Sequence, residues 1–409
     1  MDGVVILGGG QGGFQAAASL RQEGYAGPVR LVSDEPGLPY QRPPLSKAYL
    51  KDGDAARLAL RPEAFFAASA IELVHDRATA LLRETREVAL ASGAVLAYDH
   101  LILAPGARNA RPPLPGLDAP GVLGLRTLAD AQALRAALPA TVEDGARAVV
   151  IGGGFIGLEF AAVARAFGCA VTVVEAAPRL MARAVSPETS ARFRGKHESL
   201  GVDLALGVPV AEVLTDAAGR ACGVGLADGR EIPAGLVLLA AGVRPNVELA
   251  QAAGLEVADG IAADAQLLTS DPAISALGDA CSFPDPRTGA RVRLESVQAA
   301  TDHARAVARR LAGRPEPYAA LPWFWSDQAD WKLQIAGLPP RGESAADVHD
   351  LPRGGFAVRR WEGDALVCVE TVNAPAEHMA ARRLLAAGGV SRVALAAQEG
   401  SLARLAKSG

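Results

Sequence analysis

Cysteine is scarce in this chain of 409 residues: only Cys169, Cys222, Cys281 and Cys368 occur, and no two form a Cys-x-x-Cys pair. That excludes a disulfide framework and a zinc knuckle, and it predicts a reduced compartment such as the cytoplasm. The six histidines show no metal-ligand spacing, so no metal site is expected. No Gly-x-Ser-x-Gly turn is present, which leaves acyl transfer without its usual nucleophile. Charge of one sign is lacking too, with 41 Lys and Arg against 45 Asp and Glu for a net charge of −4, which argues against a general nucleic-acid binder. The longest apolar runs, such as residues 235–243, fall far short of the ~20 residues needed to span a bilayer. No basic stretch precedes the run Val4-Val5-Ile6-Leu7, so neither a membrane segment nor an export signal is expected, and the chain reads as soluble.

What remains is an ordinary globular composition, half apolar and about a fifth charged, in a length that suits two or three domains of roughly 150 residues each. Glycine is plentiful and placed with order. Residues 8–18 read GGGQGGFQAAA and residues 152–162 read GGGFIGLEFAA. Each string follows a short aliphatic run and precedes an Ala-rich stretch with few helix breakers. This strand, glycine turn and helix context is the one in which Gly-x-Gly-x-x-Gly signals dinucleotide binding. Gly8, Gly10 and Gly13 fit the first copy; Gly152, Gly154 and Gly157 fit the second. One glycine makes the tight turn, one lets backbone approach a pyrophosphate, and one lets helix and strand pack closely, while the helix N-terminus offers N–H groups to the phosphates.

The second copy also has its acid. The strand from Ala170 to Val174 ends at Glu175, where a carboxylate can bond both ribose hydroxyls and repel a 2′-phosphate, so NADH is expected over NADPH. Arg179 and Arg183 lie close enough to temper that preference. In the first copy Ser33-Asp34-Glu35 follows the strand, and either Asp34 or Glu35 can serve the ribose. Two nucleotide folds in one chain predict one tightly held redox nucleotide and one that exchanges, and a flavin with a nicotinamide is the usual pairing. The runs 101–106 and 238–242 read as strands that close each fold. The apolar run 274–277 ends in Gly278-Asp279, where a carboxylate can accept a hydroxyl of the flavin ribityl chain.

Longer strings carry a resemblance. Leu38-Pro39-Tyr40-Gln41-Arg42-Pro43-Pro44-Leu45-Ser46-Lys47, Gly278-Asp279-Ala280, Glu295-Ser296-Val297-Gln298, Trp323-Phe324-Trp325-Ser326-Asp327-Gln328 and the stretch from Asn373 to Leu385 span the chain. With the two glycine turns they make it resemble the FAD-dependent, NADH-linked ferredoxin reductases that feed bacterial cytochrome P-450 and dioxygenase systems. The resemblance implies that Arg42 and Lys47 contact FAD, with Lys47 near the redox ring, and that Glu159 pairs with Lys47 and meets the nicotinamide. It further implies FAD contacts at Arg126, at Ala78 through its backbone, and at Val297, Gln298 and Trp325, with Ile156 among the NAD contacts. One departure is Ala104-Pro105-Gly106, where the family commonly has Ala-Thr-Gly; the proline removes a hydrogen-bond donor.

The fold expected is α/β: two interleaved Rossmann-like domains, for FAD and NAD, plus a small C-terminal α+β domain, the architecture of glutathione reductase. Residues 1–111 and 245–320 are expected to bind FAD, 112–244 to bind NAD, and 321–409 to form the C-terminal domain. The reaction implied is hydride transfer from NADH to FAD, then single electrons to a 2Fe-2S ferredoxin that supplies a P-450 type oxygenase. A rubredoxin, a dioxygenase ferredoxin or a quinone is the alternative acceptor. Residues 14–168 hold no cysteine, which excludes the thiol-dependent disulfide reductases and peroxidases of similar plan. Between positions 291 and 314 six arginines (Arg291, Arg293, Arg305, Arg309, Arg310, Arg314) meet only Glu295 and Asp302. Arg305, Arg309 and Arg310 are therefore expected to steer an acidic ferredoxin.

Overall fold

The computed structural model describes residues 2–340, 342, 345–398 and 401–408. Contacts divide the chain into two compact units, one of residues 1–42, 54–108 and 244–320, the other of residues 43–53, 109–243 and 321–409.

The first unit is built on a parallel five-stranded sheet in the order Ile274–Ala276, His100–Leu103, Val4–Leu7, Val29–Ser33, Ile71–His75. Val4, Val5, Ile6 and Leu7 are all buried, as a central parallel strand covered on both faces requires, which is why this segment is uniformly apolar rather than alternating. Helices Gln11–Gln22 and Val297–Leu311 pack together, with Ala300 against Gly12. The last strand therefore returns to the sheet after a long excursion of the chain.

The second unit repeats the plan. Its parallel sheet runs Val202–Leu206, Ala170–Glu175, Arg147–Ile151, Leu236–Leu239, Val122–Leu123, with helix Phe155–Ala166 after the central strand. Corresponding hydrogen bonds recur: Gly8 N–H to Val32 O and Gly152 N–H to Val174 O are both 2.8 Å. Residues 321–398 supply an antiparallel sheet, Trp323–Gln328, Trp331–Gly337, Ala365–Val372, Phe356–Glu362, Ala345–Asp350, with helix Pro375–Ala386 against it. The two Rossmann-like folds and the C-terminal α+β fold are thus all present.

Besides shifts of one to three residues at 109–111 and 244, the contacts differ from the sequence boundaries in two places. Residues 43–53, read from sequence as part of the FAD-binding segment, join the second unit because helix Ala48–Asp52 packs on helix Leu128–Glu143 and Ser46 and Lys47 reach Glu159. Residues 321–409 share that unit instead of standing alone. Ser186, the cap of helix Pro187–Ser199, bonds the buried Glu370 through its N–H and hydroxyl at 2.8 and 2.9 Å, and His197 bonds Gln328 at 2.8 Å. Burial pushes the Glu370 carboxyl above its ordinary range. Among the described residues no helix is long and apolar enough to cross a membrane.

Candidate functional site

Each glycine turn has a shape that only glycine permits. Gly8 and Gly152 sit at φ of 116° and 114°, and a Cβ on either would collide with the carbonyl of Ala104 or Ala240. A Cβ on Gly13 would strike the carbonyl of Gly8, and one on Gly157 that of Gly152, so these positions let each helix lie against its own turn. Gly154 faces open space, and Gly10 has only Arg42 Nε, at 4.0 Å. Both cap 12-residue helices with no side-chain cap and no acid in the first turn, leaving the first N–H groups directed at that space. Such cradles fit a dinucleotide pyrophosphate.

In the first unit Glu35 and Arg42 form an ion pair, and Tyr40 donates its hydroxyl to Glu35. Of the two acids that sequence left open, Glu35 is thus engaged beside the turn while Asp34 is exposed. Asp279 lies in the turn Gly278–Ala280 just past strand Ile274–Ala276, where Leu277 underlies Gly12. Val297 and buried Gln298 open their helix under a Ser296 cap, with Gln298 donating to Asp302 at 2.6 Å. Ala78 begins the strand Ala78–Leu82.

In the second unit Glu175 accepts from Gly153 N–H at 2.7 Å and from Ala177 N–H at 2.8 Å, which aims its carboxylate at the second cradle. Arg179 is committed to the carbonyls of Val185 (2.8 Å) and Ala182 (2.6 Å); Arg183 is exposed. Ile156 is the second residue of helix Phe155–Ala166, and Arg126 precedes the capping box of Thr127 and Asp130. Trp325 stacks on Trp323 with centroids 5.4 Å apart.

The tightest polar cluster surrounds Glu159, on the same helix as Gly157 and only 4% exposed. Lys47 Nζ lies 2.9 Å from Oε1, the Ser326 hydroxyl donates to Oε1 at 2.6 Å, and the Ser46 hydroxyl donates to Oε2 at 2.5 Å. A carboxylate can be this deeply buried only with donors on both oxygens. Sequence reasoning named Lys47 and Glu159 but missed Ser46, Ser326 and Gln328. Their signal was their place inside the same two strings that supply Lys47 and Trp325.

The arginine-rich stretch differs from its sequence count. Arg293, Arg305, Arg309 and Arg314 pair with Glu295, Asp302, Glu316 and Glu23, and Arg291 bonds the carbonyls of Ala263 and Ser282. Arg310 turns inward to Ser275 and the Gln266 carbonyl and is half-buried, and burial lowers its pKa. Glu295 and Asp302 belong to the local count, whereas Glu23, Ser275 and the carbonyls of Ala263, Gln266 and Ser282 come from positions that such a count cannot see. Among the described residues no cluster of His, Cys, Asp and Glu could hold a metal, and all four cysteines are free.

Comparison with known proteins places this geometry. Residues 2–304 match the pyridine nucleotide-disulphide oxidoreductase family model, and residues 323–406 match that of the reductase C-terminal domain. The chain is 46% identical to rhodocoxin reductase of Rhodococcus erythropolis, covering 94% of this chain and 89% of the relative. It is 39% identical to putidaredoxin reductase CamA of Pseudomonas putida, with coverage of 94% and 92%. Among solved structures, the ferredoxin reductase for the CYP199A2 system of Rhodopseudomonas palustris superposes with a TM-score of 0.94 at 47% identity, covering 99% of this chain and all of that one. With two glycine cradles, a buried lysine–glutamate pair and no cysteine before position 169, the chain belongs to the ferredoxin reductases of the pyridine nucleotide-disulphide oxidoreductase family.

Proposed function

We propose that this protein takes hydride from NADH onto FAD and releases single electrons to a 2Fe-2S ferredoxin serving a cytochrome P-450 type oxygenase. The observation that carries the reading is the Lys47–Glu159 pair, held two residues beyond the last glycine of the second cradle. FAD, when bound, supplies a centre that takes two electrons together and gives them up singly.

The chain's own residues divide the remaining work. Gly8, Gly10 and Gly13 admit one pyrophosphate, with Arg42, Asp34, Glu35, Ala78, Asp279, Val297 and Gln298 as further FAD contacts in the first unit. Lys47, Arg126 and Trp325 are the FAD contacts of the second. Gly152, Gly154, Ile156 and Gly157 admit the NADH pyrophosphate, and Glu175 takes the adenosine ribose. With Arg179 spent on carbonyls, no fixed guanidinium of that residue is left for a 2′-phosphate, which supports NADH. Glu159 holds the Lys47 ammonium in place and receives the nicotinamide amide. Lys47 places positive charge where reduced flavin needs it.

On this reading residues 1–111 and 245–320 bind FAD, 112–244 bind NAD, and 321–409 complete the enzyme. The absence of paired cysteines supports a reduced, cytoplasmic setting. Names of relatives support the acceptor: a reductase–putidaredoxin complex has been solved whose reductase superposes with a TM-score of 0.93 at 36% identity. Arg305 and Arg309 are the exposed arginines assigned to ferredoxin docking.

Purified protein tests this directly. It should be yellow, bleach with NADH faster than with NADPH, and reduce a 2Fe-2S ferredoxin in the presence of NADH. A colourless preparation that takes up no flavin from added FAD would overturn the reading.

A further inference from the structure

A line of buried polar side chains leads away from Glu159 and ends on a histidine: Ser326, Gln328 and His197 are each 0% exposed. Gln328 Nε2 donates to the Ser326 hydroxyl at 3.1 Å, and Gln328 Oε1 lies 2.8 Å from His197 Nε2. Buried polar chains of this kind stand only if each donor meets an acceptor, so the direction of every bond can be worked out.

The starting point is Met181. Its thioether sulfur, 3.6 Å from Gln328 Nε2, can only accept. The amide edge facing both Met181 and Ser326 is therefore the NH2 group, and the carbonyl faces His197. A carbonyl requires a donor, so His197 carries its proton on Nε2. The opposite nitrogen, Nδ1, is buried with no partner among the described residues, which suits the bare nitrogen of a neutral ring and not an N–H. Burial favours the neutral ring as well, drawing the His197 pKa below its ordinary value.

Ser326 then has no freedom left. Its oxygen accepts from Gln328, so its single proton goes to Glu159 Oε1 at 2.6 Å. Ser46 is set by distance: its hydroxyl has the carboxylate at 2.5 Å and the Pro43 carbonyl only at 3.5 Å. With Lys47 on Oε1, three donors converge on the carboxylate, and both serine protons point inward.

We propose that His197, Gln328 and Ser326 form a one-way hydrogen-bond relay that positions Glu159, holding it as a pure acceptor in the orientation that hydride transfer from NADH requires. The inference rests on the role given to Glu159 above. His197, Gln328 and Ser326 are positioning residues, since they act through Glu159 and not on the nucleotides. The arrangement also ties the C-terminal sheet to the site chemically: Trp323–Gln328 contributes two relay members, and helix Pro187–Ser199 contributes the third. That gives this sheet a part in NADH oxidation as well as in covering the core.

The decisive variants change the direction of the relay with little change of volume. In Ser326→Ala, Glu159 Oε1 keeps Lys47 but loses its hydroxyl donor. In Gln328→Glu, read at a pH where the new carboxylate is ionised, that group can only accept, so the Ser326 proton turns away from Glu159. Ser326→Thr keeps the hydroxyl. In the FAD-loaded enzyme, stopped-flow bleaching of the flavin at saturating NADH should slow about tenfold in Ser326→Ala and Gln328→Glu, with NADH affinity within about twofold of wild type, and should recover in Ser326→Thr. Independently, 15N NMR of histidine-labelled wild-type protein should show His197 as the neutral Nε2–H tautomer, assigned by loss of its signals in His197→Gln.

An Nδ1–H tautomer would reverse the chain and overturn the relay, and this measurement stands even where a variant fails to fold. Wild-type bleaching rates in both Ser326→Ala and Gln328→Glu, alongside a slow Glu159→Gln, would also overturn it while leaving the role of Glu159 intact. A wild-type rate in Glu159→Gln would instead overturn the reading on which the relay rests.

Discussion

Replacing Glu159 by glutamine tests the site where its energetics are clearest. The carboxylate accepts three bonds: Lys47 and Ser326 on one oxygen and Ser46 on the other. A glutamine can keep its carbonyl toward Lys47 and Ser326 and donate its amide to Ser46, whose own proton is then left with the Pro43 carbonyl at 3.5 Å. Geometry is largely preserved and charge is removed. Hydrogen bonds to a charged group contribute about 1.5–3 kcal/mol and neutral ones about 0.5–1.5; because the ammonium keeps its charge, the Lys47 interaction should weaken by at most about 1–1.5 kcal/mol. The Lys47 side chain is 19% exposed, which places the loss toward the lower end because water screens the ammonium. If that interaction is fully expressed in hydride transfer, the rate of flavin bleaching by NADH falls by about fivefold to tenfold. Glu159→Ala, which leaves Lys47, Ser46 and Ser326 without their acceptor, should cost more and lower the thermal midpoint as well. Stopped-flow reduction under anaerobic conditions measures the rates, and differential scanning fluorimetry measures the midpoints. Equal rates in wild type, Glu159→Gln and Glu159→Ala would refute the assignment of Glu159 to the reaction.

Four further outcomes follow from particular contacts. Gly13→Ala should abolish FAD retention and Gly157→Ala should leave FAD bound but block reduction by NADH, because each new Cβ meets a backbone carbonyl that cannot move aside; flavin-to-protein ratio and NADH titration separate the two. Glu175→Ala should lower the NADH-to-NADPH ratio of kcat/KM about tenfold chiefly by weakening NADH use, since Arg179 stays on the Val185 and Ala182 carbonyls; a large gain in NADPH kcat/KM would contradict this. Arg309→Glu should slow ferredoxin reduction without slowing ferricyanide reduction, whereas Arg310→Glu should lower the thermal midpoint, because Arg310 is bonded inward to Ser275 and Gln266. Burial holds the His303 pKa at about 3, so its contribution to stability is complete above the ordinary value near 6.5 and declines as pH falls toward 3. Wild type should therefore lose about 2 kcal/mol from this residue between pH 6.5 and pH 5, and the drop in thermal midpoint over that interval should shrink in His303→Gln.

Much of this protein can be read in one dimension because its chemistry is written in local strings. A glycine turn between a buried strand and a helix is announced within about ten residues, and the steric demands at Gly13 and Gly157 are set by Gly8 and Gly152 of the same turn, while those at Gly8 and Gly152 come from Ala104 and Ala240, far along the chain. The interleaved order of the two nucleotide folds was legible for the same reason. Lys47 and Glu159 were identified by resemblance, their strings being specific enough to carry a role.

Tertiary structure decided whatever depends on partners from far along the chain. The six arginines between 291 and 314 look like a basic patch in sequence, yet Glu23 pairs with Arg314 and Ser275 draws Arg310 inward. The loop 43–53 and the C-terminal sheet joined the second unit through Glu159, Gln328 and Glu370, single buried contacts with no periodicity to announce them. The sequence by itself determined the two glycine turns and the scarcity and wide spacing of cysteine, because those follow from residue type and spacing. Only the folded chain determined that Glu159 is held by two serines and a lysine, and that Ser326 must point its proton there, because the direction of a hydrogen bond depends on every neighbour at once.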